Sequence, residues 1–137
     1  MSTETEKCAV IIDVSLPVGV IANIAAILGI TAGMKAPYIV GEDVHDSEGL
    51  PHSGIIRFPV PVLKGNAEIL KDIRKKAGEL GISAVDFTEL AQSCKTYDEY
   101  ILKMSVSSES SLEYLGIAVF GDKKSVNKLT GSLPLLK

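Results

Sequence analysis

Cys8-Ala9-Val10-Ile11-Ile12 is an unbroken apolar run that stops at Asp13. A run of that length between polar residues predicts an interior strand covered on both faces. Tyr114 to Phe120 predicts a second one. Between them the period changes. Leu16 to Met34 is nearly continuous apolar sequence of helical length, entered through Ser15-Leu16-Pro17. Pro17 is expected in the first helical turn, where a missing N–H costs nothing, and the helix is expected to run to about Gly33. Ala67, Leu70, Ile73, Ala77 and Leu80 form one stripe at three- and four-residue steps. Asn66 stands where an N-cap belongs, and Gly81 where a left-handed C-terminal residue belongs.

The remaining segments are shorter. Ile55 to Val62 alternates, but Pro59 and Pro61 remove ladder donors and predict an edge or a strand end. Ile82 to Phe87 predicts a strand. Thr96-x-x-Glu99 is a capping box opening a helix with Tyr97, Tyr100, Ile101 and Met104 on one face. Asp122 is expected to cap a short helix carrying Val126 and Leu129 and ending at Gly131, and Leu133-Pro134-Leu135-Leu136 reads as an edge. Gly41 to Gly54 is polar, lacks a period and predicts a long loop. Residues 1–6 read as a flexible polar tail and residues 7–137 as one domain. Strands alternating with helices predict an α/β fold, a three-layer α/β/α sandwich on a mixed sheet.

Composition narrows the function classes. Lys and Arg number 14 against 17 Asp and Glu, a net charge of −3. The chain therefore lacks the cationic field that counterion release on nucleic acid requires. Leu16–Met34 has the length of a membrane span, but Pro17, Gly19, Asn23, Gly29 and Gly33 and the absence of a basic flank argue for a buried helix and no membrane. Its small residues Ala22, Ala25, Ala26, Gly29 and Gly33 let another backbone approach, so a homodimer is expected. Cys8 and Cys94 show no metal spacing, and the sequence has no signal-peptide pattern; a cytoplasmic location is the expectation. Cys8, inside a strand, is expected to be inert.

Ligands in open α/β sheets sit beyond strand carboxyl ends, where Asp13 and Asp86 are expected. Each could serve as a general base or cap the next helix or turn, and Asp86 has capping spacing to Glu89. Thr88 and Gln92 would be hydroxyl and amide partners beside Asp86. Asn23, in the apolar helix, would be a buried amide that lines a pocket or locks a helix interface; an unmet group there costs about 1–3 kcal/mol. His52 could be a general base or close a turn. His45 with Asp43, Asp46 and Glu48 matches no calcium loop, so no metal is expected, and the chain has no phosphate-binding glycine motif and no cofactor signature.

The strand Cys8 to Asp13, Ser15-Leu16-Pro17-x-Gly19 with Asn23 beyond it, Pro59-Val60-Pro61-Val62-Leu63-Lys64, Asp86-Phe87-Thr88, Tyr97-Asp98-Glu99-Tyr100 and Leu115-Gly116-Ile117 resemble a bacterial family, domain of unknown function 2000. The resemblance covers nearly the whole chain. That family looks like peptidyl-tRNA hydrolase II in fold, commonly dimeric, and Asn127-Lys128-Leu129-Thr130-Gly131-Ser132-Leu133 is similar to the hydrolase's last helix and edge. After the glycine matching Gly19 the hydrolase carries a lysine, a glutamine and often a histidine. This chain has Ala22, Ala26 and Gly29 there, or Asn23, Ile27 and Ile30 after a one-residue shift. Asp86 matches the hydrolase aspartate, and Gln92 lies one residue out of register with its glutamine. The resemblance thus implies the fold without peptidyl-tRNA hydrolysis. The reading from sequence is a small-ligand binder with a crevice around Asn23, Asp86 and Thr88. The alternatives are an ester or amide hydrolase using Asp86 or His52, and a structural module with no active site.

Overall fold

A computed structural model describes residues 6–137. The polar tail expected over residues 1–6 lies outside that range except for Glu6, which opens the first strand. The elements are β1 (Glu6–Asp13), α1 (Val18–Lys35), β2 (Val44–His45), β3 (Pro51–His52), β4 (Val62–Gly65), α2 (Ala67–Leu80), β5 (Ser83–Thr88), α3 (Glu89–Ser93), α4 (Tyr97–Ser105), β6 (Tyr114–Asp122) and α5 (Lys123–Thr130). The four-stranded sheet has the order β4-β1-β6-β5. β1 pairs with β4 in parallel, Asp13 opposite Gly65, and with β6 antiparallel, Ile12 opposite Gly116. β5 pairs antiparallel with β6 and leaves its other edge open. The sheet is mixed, and the two apolar runs are its interior strands.

Burial follows strand alternation. Ala9, Ile11, Ile117 and Val119 turn to one face and pack with Leu70, Ile73 and Ala77 of α2 and Val126 of α5. Val10, Ile12, Leu115 and Ala118 turn to the other and meet Ile21, Ile24 and Leu28 of α1. Two helices therefore cover one face and a single helix the other. Leu133–Leu136 completes the β4 edge: Lys64 N donates to Pro134 O at 2.9 Å and Leu136 N to Val62 O at 2.8 Å.

α2 forms as its sequence dictates. Asn66 Oδ1 accepts from Ile69 N at 2.9 Å, and Gly81 takes φ +70°, which an L side chain adopts only with strain. Asn66→Ala should lower stability by about 1 kcal/mol in a denaturant titration, and Asn66→Asp by far less.

Several boundaries differ from expectation. Pro17 is the residue before α1 rather than inside its first turn, with extended ψ 150°. Ile55 to Pro61 forms no strand: Ile56 makes an isolated antiparallel bridge to Val40, and the ladder to β1 begins at Val62, past the second proline. The loop 41–54 holds the two-residue ladder β2/β3. α4 buries none of its side chains, so the Tyr97, Tyr100, Ile101 and Met104 face is not core.

Candidate functional site

Asp13 closes the turn after β1: its Oδ1 accepts from Ser15 N at 2.9 Å and from Ser15 Oγ at 2.7 Å. Thr88, fully buried, caps α3 by accepting from Ala91 N at 3.2 Å. The cap of α3 is therefore Thr88 and not Asp86, despite the spacing of Asp86 to Glu89. Asp86 instead receives Arg74 Nε of α2 at 3.3 Å. Its neighbours Val85 and Phe87 pack on the α1 side. Successive strand side chains alternate, so the Asp86 carboxylate belongs to the α2 face.

Asn23 is exposed on α1, whose buried side chains are Ile21, Ile24, Leu28 and Ala32. The expected buried amide is thus corrected. Asn23 is turned outward on α1 and is not among the residues that line a cavity with Asp86. Gln92 is exposed on α3. His52 is exposed on β3, and its Nε2 lies 2.8 Å from Asp46 Oδ2. That bond, then Glu48 N donating to Asp46 Oδ1 at 2.9 Å, holds the Asp46 carboxyl below its ordinary range, and Leu50 N on the same oxygen at 3.1 Å helps tie the hairpin together. The structure does not bring His52 to the open edge of β5.

What it does bring together is a crevice of about 410 Å³ beside β5. Ile27 and Thr31 of α1 form one wall; Ala91 and Cys94, with Lys95, Thr96, Tyr97 and Tyr100, form the other. Its floor is Val85, Asp86 and Phe87. Three consecutive residues of an edge strand line one space along the strand's open edge, where every second residue turns an amide and a carbonyl outward. The Tyr97 and Tyr100 rings meet edge to face with centroids 5.6 Å apart. Burial, then the Asp86 charge, raises the Tyr100 phenol above its usual range, so at neutral pH it is an uncharged donor and acceptor. Apolar walls with a few convergent polar groups are what small-molecule sites require. Of these lining residues, the sequence singles out only Asp86 for a site. The signal for the rest is the Tyr97–Tyr100 pair on a helix with nothing to cover it.

A second cavity of about 310 Å³ lies near the carboxyl end of β5, lined by Glu89, Ser93, Ser107, Ser111 and Glu113 with two leucines. Glu113 shares a hydrogen bond with Glu89, and this sharing, then their repulsion, raises the Glu113 carboxyl above its usual range. The folded state accordingly favours a proton there. Its stabilising effect is complete below the ordinary glutamate range and is lost as pH rises through the raised value. Melting temperatures of the wild type and Glu113→Gln should coincide at low pH, with the variant the more stable at neutral pH. Parallel pH profiles would contradict the shared proton.

Among the described residues no three His, Cys, Asp or Glu side chains are grouped to hold a metal ion. Cys8 is buried, and burial pushes its thiol up to about 11, which leaves it unreactive.

A mixed four-stranded sheet between helices, with an open crevice beside one edge strand, defines a small α/β protein. The family model "Protein of unknown function (DUF2000)" matches residues 6–137, and the chain belongs to that family. The chain is similar to the solved structure of the protein of unknown function Atu0240 from Agrobacterium tumefaciens strain C58, with a TM-score of 0.88 and 24% identity over 97% of this chain and 98% of that one. No curated protein matches the chain.

Proposed function

We propose that this protein binds a small, uncharged organic ligand in the β5-edge crevice and does not hydrolyse peptidyl-tRNA. The observation that carries this is the lining itself. Asp86 is paired with Arg74 at 3.3 Å and Lys95, the other charged residue of the lining, is exposed and screened by solvent, while Tyr97, Tyr100 and Phe87 offer aromatic surface. The outward amides and carbonyls of β5 supply paired donors and acceptors for a flat molecule with an amide-like edge. The fold is read as peptidyl-tRNA hydrolase II-like, and the residues on α1 argue against its activity. Ala22, Ala26 and Gly29, where a lysine, an amide and an imidazole would be needed, carry no group that could hold phosphate or polarise a carbonyl. Asp86 paired with Arg74, and His52 paired with Asp46 on a separate hairpin, give no poised base for the hydrolase alternative. The paired caps at Asp13 and Thr88 support structural roles for both. Cytoplasmic residence is part of the same reading, supported by two free thiols, one of them buried.

The test is a thermal-shift screen of neutral heterocyclic and amide metabolites. A ligand at a hundred times its Kd stabilises by about 2.7 kcal/mol, a rise of several degrees in melting temperature. Hits should disappear in Tyr100→Ala, which removes a wall, and in Ala91→Phe, which fills the space. Hits retained by both variants would place the site elsewhere, and peptidyl-tRNA cleavage by the wild type would overturn the exclusion.

A further inference from the structure

The two faces of the sheet are covered unequally. α2 and α5 share one face, and α1 is the only helix on the other. Strands spaced about 4.8 Å apart make a four-stranded sheet wider than a helix about 10 Å across, so one helix leaves part of that face without a roof. α1 is seated over β6, β1 and β5, and β4 lies to one side of it. The segment 39–57 returns over that side and closes it only in part.

What remains is a trough of about 250 Å³. Its floor is the sheet itself, at Cys8, Val10 and Val62. Ala25, Gly29 and Gly33 of α1 make one wall, and Val40 with Ile56 the other. Val40 and Ile56 face each other across an isolated antiparallel bridge, flanked by Gly41 N donating to Ile55 O and Arg57 N to Ile39 O, both at 2.8 Å. That bonding pattern brings their side chains close together on one side of the pair. The floor belongs to the core: Cys8 is 3% exposed and Val10 4%, against 43% for Val40 and 45% for Ile56. The space therefore runs from a half-exposed rim down to an interior strand. Protein interiors leave few voids larger than a water, and a dry apolar cavity takes up apolar guests.

Shape and charge select the guest. From Ala25 to Gly33 the α1 wall is about 12 Å long, and the volume spread over that length has a section of about 20 Å². That is the width of one extended hydrocarbon chain and far too narrow for a second helix about 10 Å across. No lining residue is charged, and the one polar side-chain atom is the Cys8 thiol, which burial keeps protonated. An ion placed there would lose its hydration and gain no partner. A Cβ added at Gly29 or Gly33 would meet nothing within 4 Å, so the missing side chains of these glycines keep the trough open along its length. We propose that this trough is a second binding site, which takes the unbranched alkyl chain of a free single-chain amphiphile laid along α1, with the polar head left in solvent at the rim. The proposal is independent of the β5 crevice, which lies toward the opposite edge of the sheet and shares no lining residue with the trough.

Isothermal titration of the full chain with unbranched alkanols, from hexanol to decanol, tests it. Each added methylene should tighten binding about fourfold, the equivalent of about 0.8 kcal/mol, until the chain fills the trough. Cyclooctanol, too wide for the section, should bind more weakly than octanol. In methyl spectra, decanol should shift Val10, Ile39, Val40, Ile56 and Val62 and leave Ile27 of the crevice unmoved. Gly29→Leu, whose side chain enters the trough, should lose alkanol binding with its circular dichroism retained, since leucine favours helix. Gly78→Leu, equally open but on α2, should keep it. Should Gly29→Leu not fold, the methyl shifts alone decide. No tightening along the series, cyclooctanol bound as tightly as octanol, or shifts gathered at Ile27 would each overturn the proposal. So would trough methyls that shift with protein concentration and not with alkanol, which would put a second copy of the chain there.

Discussion

Leu28→Ala should destabilise the protein by about 2–5 kcal/mol, the range for emptying a fully buried leucine position. Leu28 has no exposed surface and packs with Ile12, Leu115 and Ala118 beneath α1. Only this helix covers that face of the sheet, so little can move in to fill the void. Ile30→Ala, two residues further along the same helix, should change the unfolding free energy by about 0.5 kcal/mol at most, as exposed positions do. The comparison needs only urea titrations. Equal losses for the two would mean that α1 is rotated about its axis relative to the packing described above.

Gly116→Val should cost at least about 1–3 kcal/mol, as overpacking does in a tight core. Gly116 is in interior strand β6 directly beneath α1. A Cβ there would sit 2.8 Å from Ile24 Cγ2, 3.2 Å from Leu28 Cδ1 and 3.5 Å from Ile11 O. Two of these neighbours are themselves fully buried side chains and the third is backbone of the adjacent strand, so none can give way freely. Gly116→Ala should fall between wild type and valine. A further consequence separates this variant from a merely weakened core. Lifting α1 shifts Ile27 and Thr31 away from β5, so Gly116→Ala should weaken ligands of the crevice while leaving the His52–Asp46 hairpin unchanged. A valine variant as stable as the wild type would show that α1 does not pack as closely as described.

The scaffold was legible in the sequence because its signals are local. Two uninterrupted apolar runs gave the interior strands, and Asn66 and Gly81 bounded α2 by their own cap chemistry. Thr96 likewise caps α4 by accepting from Glu99 N at 3.1 Å. The reciprocal bond of that box goes one residue astray, Glu99 Oε2 receiving Lys95 N. The site was far less legible. Asn23 among apolar neighbours reads as buried, since hydropathy cannot distinguish a helix face turned to the sheet from one turned to solvent. The crevice joins Ile27 and Thr31 to Tyr97 and Tyr100 across some sixty-five residues of sequence, and no spacing encodes that meeting. Asp86 is legible as a strand-end position, but its capping spacing to Glu89 goes unused because Thr88 caps α3. The end of a strand is visible in the sequence, but the arrival of Arg74 from α2 is a product of packing.

The central claim is that the open edge of β5, with α1 and α4 as walls, is where this protein meets its ligand. Titrating a thermal-shift hit into isotope-labelled protein and following backbone amide resonances tests it most directly. Binding at that edge predicts changes at Val85–Phe87, at Ala91–Tyr100 and at Ile27 and Thr31, with amide exchange slowed along the β5 edge. Changes gathered instead at His45–His52 or around Glu89 and Glu113, with Ile27, Thr31 and Tyr100 unmoved, would contradict it.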